Sequence, residues 1–219
     1  MMGKLIDREK REQARRQRVE RKRRILKEAR SSFERLPFVE VTLDSIGHRA
    51  QVDRGVASMY FQSKEGIFLL LLKEDLEEWF ASLEEELEAC RKPLSRGRLA
   101  RLLAESLAGR PAMTRLMSLA PVVFEQNLDV MEVFRFQRWR RDRMLDVGKT
   151  MGGAADRRFP DGGVRLLHLV QLIAAGLEPL AHPKGSAAYE LADPEFAVFR
   201  IDLRDELESL IAAALASES

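Results

Sequence analysis

Three helix-start signals crowd into some twenty residues of this chain, and they constrain the fold more than any other feature. Thr42 precedes Leu43-Asp44-Ser45-Ile46, where its side chain can cap free backbone N–H groups and Asp44 favours the positive end of the first turn. Val41 and Ile46 occupy the two positions of a hydrophobic staple. Asp53 offers a second cap and Ser63 a third. Starts this close together leave room only for short helices joined by tight turns. The spacing predicts one helix from Thr42 to Arg49 or Ala50, another from Arg54 to Tyr60, and a long one from Ser63 through Leu87 or Ala89. Two short helices with a turn of about three or four residues have helix-turn-helix geometry.

Around this motif the chain reads as all helix. Leu, Ala, Glu and Arg dominate and β-branched residues are sparse, a composition that favours helix. Apolar spacing begins at Ile25 and runs through Leu26, Ala29, Phe33 and Leu36, with Pro37 ending that helix. Beyond the break at Lys92-Pro93-Leu94-Ser95, helices are expected at about 96–108, 112–121, 129–150, 163–181 and 194–216. Asp129 with Glu132 forms a capping-box pattern, and Pro194 suits a first helical turn. Loops are expected at Gly152-Gly153 to Gly163 and from His182 to Asp193. The expected organisation is a basic, flexible arm or frayed helical extension over residues 1–20, a helix-turn-helix domain over 21–68, and a larger helical domain over 69–219.

Charge narrows the partners. Residues 1–30 carry thirteen Lys or Arg against five acids, whereas the whole chain has a formal net charge of only +2. A basic beginning on a near-neutral chain points to a polyanion at that end. The arm either enters a minor groove or stays a solvated tail that raises nonspecific affinity through counterion release. Cys90 is the sole cysteine, so it forms no internal disulfide and no cysteine-based metal site, and a reducing cytoplasm fits. No secretory signal is expected. Val164 to Leu180 is interrupted by Arg165, His168, Gln171 and Glu178, so no membrane span and no membrane partner are expected. The three histidines lie far apart, with no nucleophile elbow, phosphate loop or metal-ligand spacing beside them. No catalytic residue, metal or cofactor is assigned.

Thr42, Ile46, Ala50, Val52, Gly55, Tyr60-Phe61 and Ser63-Lys64-Glu65 stand at the spacing of the tetracycline-repressor family of regulators, which this segment resembles. The match covers residues from about 24 to 70 and resides chiefly in Tyr-Phe-x-Ser-Lys-Glu after the two short helices. Gly47 departs from a usual Ala, Gln51 from the turn Gly, and Val56-Ala57-Ser58 from Thr-Leu-Tyr. The scaffold is retained while the base-reading face differs. The resemblance implies an all-α regulator that binds double-stranded DNA at a palindromic operator. It assigns phosphate contacts to Thr42, Tyr60 and Lys64. Arg54, Gly55, Val56, Ser58 and Met59 lie where a recognition helix meets the major groove. Val52, Ala57 and Phe61 read as core.

The helices at 163–181 and 194–216 are apolar on more than one side. They form either a four-helix bundle with their twofold mates, giving a homodimer, or the core of a monomer. A pocket for a small hydrophobic or amphipathic ligand is expected among Trp79, Phe80, Leu83, Leu103, Leu107, Met113, Met117, Phe124, Phe134 and Met144. Arg135, Arg138, Arg140, Arg141 and Arg143 read as a solvated basic face around Trp139, with a contact to an acidic ligand or to DNA as the alternative. The function implied is a repressor released from DNA by a ligand. The alternative is a helical ligand-binding or protein-interaction module that no longer reads a defined operator.

Overall fold

The computed structural model describes residues 2–155, Phe159 and 161–217; the side chains of residues 2–10, Arg54 and Ser217 are not described. The described residues are helical throughout their regular structure, with no strand and a single isolated bridge between Leu94 and Ala155. The chain divides into two compact units, one up to Leu71 and one from Leu72 onward.

The first unit contains α1 (Met2–Arg35), α2 (Leu43–Arg49), α3 (Arg54–Tyr60) and the beginning of α4 (Lys64–Glu88). Within the stretch 1–20, read as an arm or a helical extension, residues 2–20 belong to the single 34-residue helix α1. Only its last third is amphipathic: Ile25, Ala29 and Phe33 fall on one face and are buried. Phe68 of α4 closes this core, its ring 5.2 Å from both Phe33 and Phe38. Burying a phenylalanine completely stabilises by about 1.5–3 kcal/mol.

Local chemistry sets the helix ends here. The Thr42 hydroxyl accepts from the Ser45 N–H at 3.1 Å and the Ser45 hydroxyl accepts from the Thr42 N–H at 3.1 Å, a reciprocal capping box. Val41 and Ile46, the staple pair, are fully buried. Asp53 takes the N-cap position of α3 but makes no side-chain capping bond, contrary to expectation. Helix α2 stops in a Schellman arrangement: Gln51 N–H donates to His48 O at 3.1 Å and Val52 N–H to Gly47 O at 2.9 Å. This turn places Gln51 at φ 54°, in the left-handed region, where the resembling family carries glycine. Gln51→Gly should therefore raise stability by about 1 kcal/mol, the cost of a left-handed side-chain-bearing residue less part of the glycine entropy. Urea unfolding monitored by circular dichroism measures it, and a loss of stability would refute it.

The second unit continues α4 and adds α5 (Arg96–Ala108), α6 (Pro111–Leu119), α7 (Glu125–Asn127), α8 (Val130–Ala154), α9 (Val164–Ala181), α10 (Ser186–Glu190) and α11 (Leu203–Ser217). Its core is a set of stripes at helical spacing. Leu203, Leu207, Ile211 and Leu215 of α11 are buried, and this helix packs on α5, whose Leu99, Leu103 and Leu107 are buried in turn. Helix α9 packs on α6, α8 and α11. Trp79 joins α4 to α5 by donating from Nε1 to Ser106 Oγ at 3.0 Å.

Two expectations are corrected. The helix foreseen at 194–216 is two pieces, a 3-10 turn at Pro194–Phe199 and then α11. Arg200 explains the break: its guanidinium donates to the carbonyls of Leu191, Ala192 and Asp193, and the Asp202 carboxylate then caps α11 by accepting from Asp205 N–H at 3.0 Å. Gly152 and Gly153 lie inside α8 instead of in a loop, whereas Gly162 and Gly163 do turn the chain, with φ 67° and 80°. Gly148 of α8 meets that turn so closely that a Cβ there would lie on the Gly162 carbonyl. Helix α9, at 18 residues, is long and apolar enough to cross a membrane by length and composition alone, a test that the core helix of a folded unit also passes. Its packed face nonetheless buries Gln171 and Glu178.

Candidate functional site

Two places in the molecule bear on function, one in each unit. In the first unit, α3 is sharply two-faced. Ala57 is buried and packs with Val52 and Phe61, while Gly55, Ser58 and Met59 are exposed, Met59 to 80%. Residues 55, 58 and 59 share one face of the helix by their spacing. Val56 and Tyr60 are half-buried beside them. The side chain of Arg54 lies outside the described residues. Gly47 lets α2 approach this helix: a Cβ there would be 3.2 Å from Val52 O and 3.5 Å from Ala57 Cβ.

The basic stretch of α1 adjoins the end of α3. The Arg18 guanidinium sits 5.8 Å from the centre of the Tyr60 ring, and the Lys22 ammonium 5.8 Å from that of Phe61. Arg11, Arg15, Arg16 and Arg21 are exposed on the same helix. An exposed row of cations beside a short-side-chain helix face is the electrostatic setting a polyanion requires.

Of the residues assigned to phosphate, Thr42 is exposed with its hydroxyl engaged as a cap, and Tyr60 stands under Arg18. Lys64 has another task. Its ammonium donates to Phe38 O at 2.9 Å and Val41 O at 2.8 Å, and lies 4.2 Å from the centre of the Phe38 ring. Two of its three N–H donors are thus committed to backbone carbonyls. Lys64 thereby fastens the turn before α2 to the start of α4.

In the second unit a cavity of about 230 Å³ opens between α4, α6, α8 and α9. Each helix contributes residues at helical spacing: Leu72 and Leu76 from α4, Phe136, Gln137 and Arg140 from α8, and His168, Gln171, Leu172 and Ala175 from α9. Met117 of α6 and Ala120, Pro121 and Glu125 complete the wall. Pro121 has no N–H to give, and the chain there widens into a π turn in which Glu125 N–H reaches back to Ala120 O.

Among the ten residues expected to line a pocket, Met117 alone is on this wall. Trp79, Phe80, Leu83, Leu103, Leu107, Met113, Phe124 and Met144 are buried in the core, and Phe134 is 52% exposed. Of the polar groups of the cavity, only Arg140 figures among the residues weighed for a ligand, as part of the arginine run. Arg140 donates to His168 Nδ1 at 2.8 Å, and Gln137 Nε2 donates to Glu125 Oε1 at 2.5 Å. Gln171 is 4% exposed, and its Nε2 has no hydrogen-bond partner. The visible signal was Gln171 and His168 interrupting an otherwise apolar run at a spacing of three. The solvated reading of the arginine run holds for the exposed Arg135, Arg138 and Arg141 and is corrected for the other two. Besides Arg140 in the cavity, Arg143 pairs with Glu77 at 2.9 Å and Glu84 at 2.8 Å, holding α8 on α4.

Below the cavity, the buried Glu178 carboxylate accepts from Thr114 Oγ1 at 2.9 Å and lies 3.0 Å from His182 Nδ1. This locks α6 to α9. His168, expected as a core or interface histidine, lies outside the core of the chain, exposed at the cavity edge. An arginine only donates, so Nδ1 of His168 accepts and the imidazole is neutral. Burial, and then the charge of Arg140, pushes the His168 pKa below its usual 6.5. A histidine whose folded pKa is depressed stabilises the fold above the unfolded value, and that contribution is lost as pH falls from there through the folded pKa. The unfolding midpoint should fall as pH drops below 6.5. In His168→Gln, which cannot titrate, the fall should be shallower; equal slopes for the two proteins would refute the assignment.

Residues 73–216 match the model of the tetracyclin repressor-like C-terminal domain. No curated protein matches the chain. Among solved structures, the chain is similar to Thermus thermophilus FadR, described as a TetR-family transcriptional repressor in complex with lauroyl-CoA, at 23% identity and a TM-score of 0.55, over 86% of this chain and 90% of that one. It is also similar to the transcriptional regulator FadR from Bacillus subtilis in complex with stearoyl-CoA, at 14% identity and a TM-score of 0.48, over 86% and 96%. At 23% identity the Thermus likeness speaks to the fold alone.

Proposed function

The chain belongs to the tetracycline repressor-like family of transcriptional regulators, and from that membership we propose that it is a repressor that holds a palindromic operator as a homodimer and releases it when a small ligand enters the C-terminal unit. The observation that carries this reading is the division of α3 into a buried face with Ala57 and an exposed face of Gly55, Ser58 and Met59. Short side chains on an exposed helix face permit close approach to base edges, and the cations of α1 supply the sequence-independent part of the affinity.

The homodimer reading draws support from α9 and α11. Leu172 and Leu180 of α9 are 53% and 57% exposed, although the opposite faces of both helices are buried within the chain. Covering such residues with a twin copy removes apolar surface from water. A dimer then presents two reading helices at a spacing that matches turns of the duplex. A ligand that prefers a different spacing weakens DNA binding by its differential affinity for the two states, a coupling of about 1–3 kcal/mol in typical cases. The acyl-CoA partners of the two solved relatives supply a starting set of ligands to try.

Selection of bound fragments from sheared genomic DNA tests the proposal. A regulator of this kind enriches a palindrome, and binding to that fragment depends on salt more steeply than a single phosphate contact would. Enrichment of no sequence over input would favour the module that reads no operator.

A further inference from the structure

We propose that the cavity between α4, α6, α8 and α9 selects a small amphipathic carboxylic acid, its carboxylate meeting Arg140 and the Gln171 amide and its apolar body lying along Leu72, Leu76 and Met117. The proposal deepens the regulator reading and rests on it for the claim that the cavity is a sensor.

The unmet group is the starting point. Gln171 is among the few buried polar residues, it lines the cavity, and its Nε2 lacks a partner. Buried amide N–H groups are nearly always paired, so an unmet one on a residue of the cavity wall marks the place of an absent acceptor. Arg140 stands on the facing stripe of α8. It gives one N–H to His168, and the planar guanidinium has further donors suited to the two oxygens of a carboxylate. His168, holding its acceptor nitrogen toward Arg140, is uncharged and therefore adds no competing cation. Glu125 is engaged by Gln137. Burial lowers the Arg140 pKa, and the attraction of Glu125 does not make up the difference, so the guanidinium remains short of negative charge.

The rest of the wall decides the body of the ligand. Leu72, Leu76, Met117, Ala120, Phe136 and Leu172 are apolar and would exclude a strongly hydrated solute. The volume, about 230 Å³, falls below the ~300–1,000 Å³ common for drug-sized ligands. That suits a free short- or medium-chain acid, whereas a thioester of the same acid has lost the carboxylate and must leave its carrier outside the cavity. An amine would meet the arginine with like charge, and an alcohol offers a single oxygen with no charge.

The test is calorimetric titration of the full chain with octanoate, 1-octanol, octylamine and octanoyl-CoA under one buffer condition. Octanoate should bind at least tenfold tighter than each of the other three. Arg140→Met and Gln171→Leu, which preserve volume, should each weaken octanoate about tenfold and leave 1-octanol unchanged. Retained 1-octanol binding shows that a variant is folded. If a variant loses its circular dichroism, the four-ligand ranking on the natural chain decides alone. Octanoyl-CoA binding tightest, octanoate equal to 1-octanol, no binding by any of the four, or octanoate indifferent to both substitutions would each overturn the proposal. The regulator reading is scored separately on DNA. Octanoate that binds as expected without displacing a selected fragment leaves this inference standing and removes the claim that the cavity is a sensor. Octanoyl-CoA that displaces DNA while octanoate fails to bind does the reverse.

Discussion

Truncating Trp79 to alanine should cost the C-terminal unit about 3–5 kcal/mol, the range for deleting a large aromatic from a packed core. Trp79 is fully buried, its ring lies 4.9 Å from that of Phe80, and its Nε1 donates to Ser106 Oγ at 3.0 Å. Alanine removes the ring and the bond together. Ser106 keeps its own donation to Leu103 O at 2.8 Å, so the loss is mostly packing and cavity. Trp79→Phe preserves much of the apolar volume and should cost less than half as much. Urea unfolding gives both values. A cost below about 1 kcal/mol for alanine would mean that α4 and α5 do not share a core at this point.

Ser58→Asp should weaken binding to every DNA sequence by about a hundredfold or more and leave the unfolding midpoint unchanged. Ser58 is exposed on the reading face of α3, so a carboxylate there finds water in the free protein and meets phosphate and base-edge acceptors in the complex. Like charges placed face to face across an interface cost several kcal/mol, and each 1.4 kcal/mol is about tenfold. Ala57→Asp, one residue earlier but buried, is the contrasting change: it should unfold the first unit. Fluorescence anisotropy on a selected fragment, at two salt concentrations, reads the first effect. Unaltered affinity in Ser58→Asp would take α3 out of the DNA interface.

The first unit was largely legible in the sequence because its boundaries are written in local chemistry. Thr42, Ser45 and the Val41–Ile46 staple need only neighbours within five residues, and the structure uses each of them. Ser63 caps α4 through Gly66 N–H at 3.2 Å, again a local contact. Lys64 shows the limit. Its partners, the carbonyls of Phe38 and Val41, lie more than twenty residues away, and spacing along the chain does not reveal them.

The second unit yielded its helices but not its cavity for the same reason. Large Met and Phe side chains at helical spacing were read as a pocket, yet packing places nearly all of them in the core, where close contact is what large apolar groups gain most from. The wall is built from other apolar residues and from polar ones, and which helix faces meet is a property of the assembled unit. The break at Arg200 follows the same logic. Its three carbonyl acceptors are seven to nine residues back, and without them 194–216 reads as one continuous helix.

Cys90, just past the end of α4, is the sole cysteine of the sequence, and it is partly exposed with its thiol directed to Glu86 O at 3.3 Å. Nature has thereby provided one reporter attachment point per subunit. A nitroxide placed there without removing any other thiol would give a symmetric pair a single spin–spin separation. Shifts in that separation on adding acid or duplex would track the rearrangement in solution.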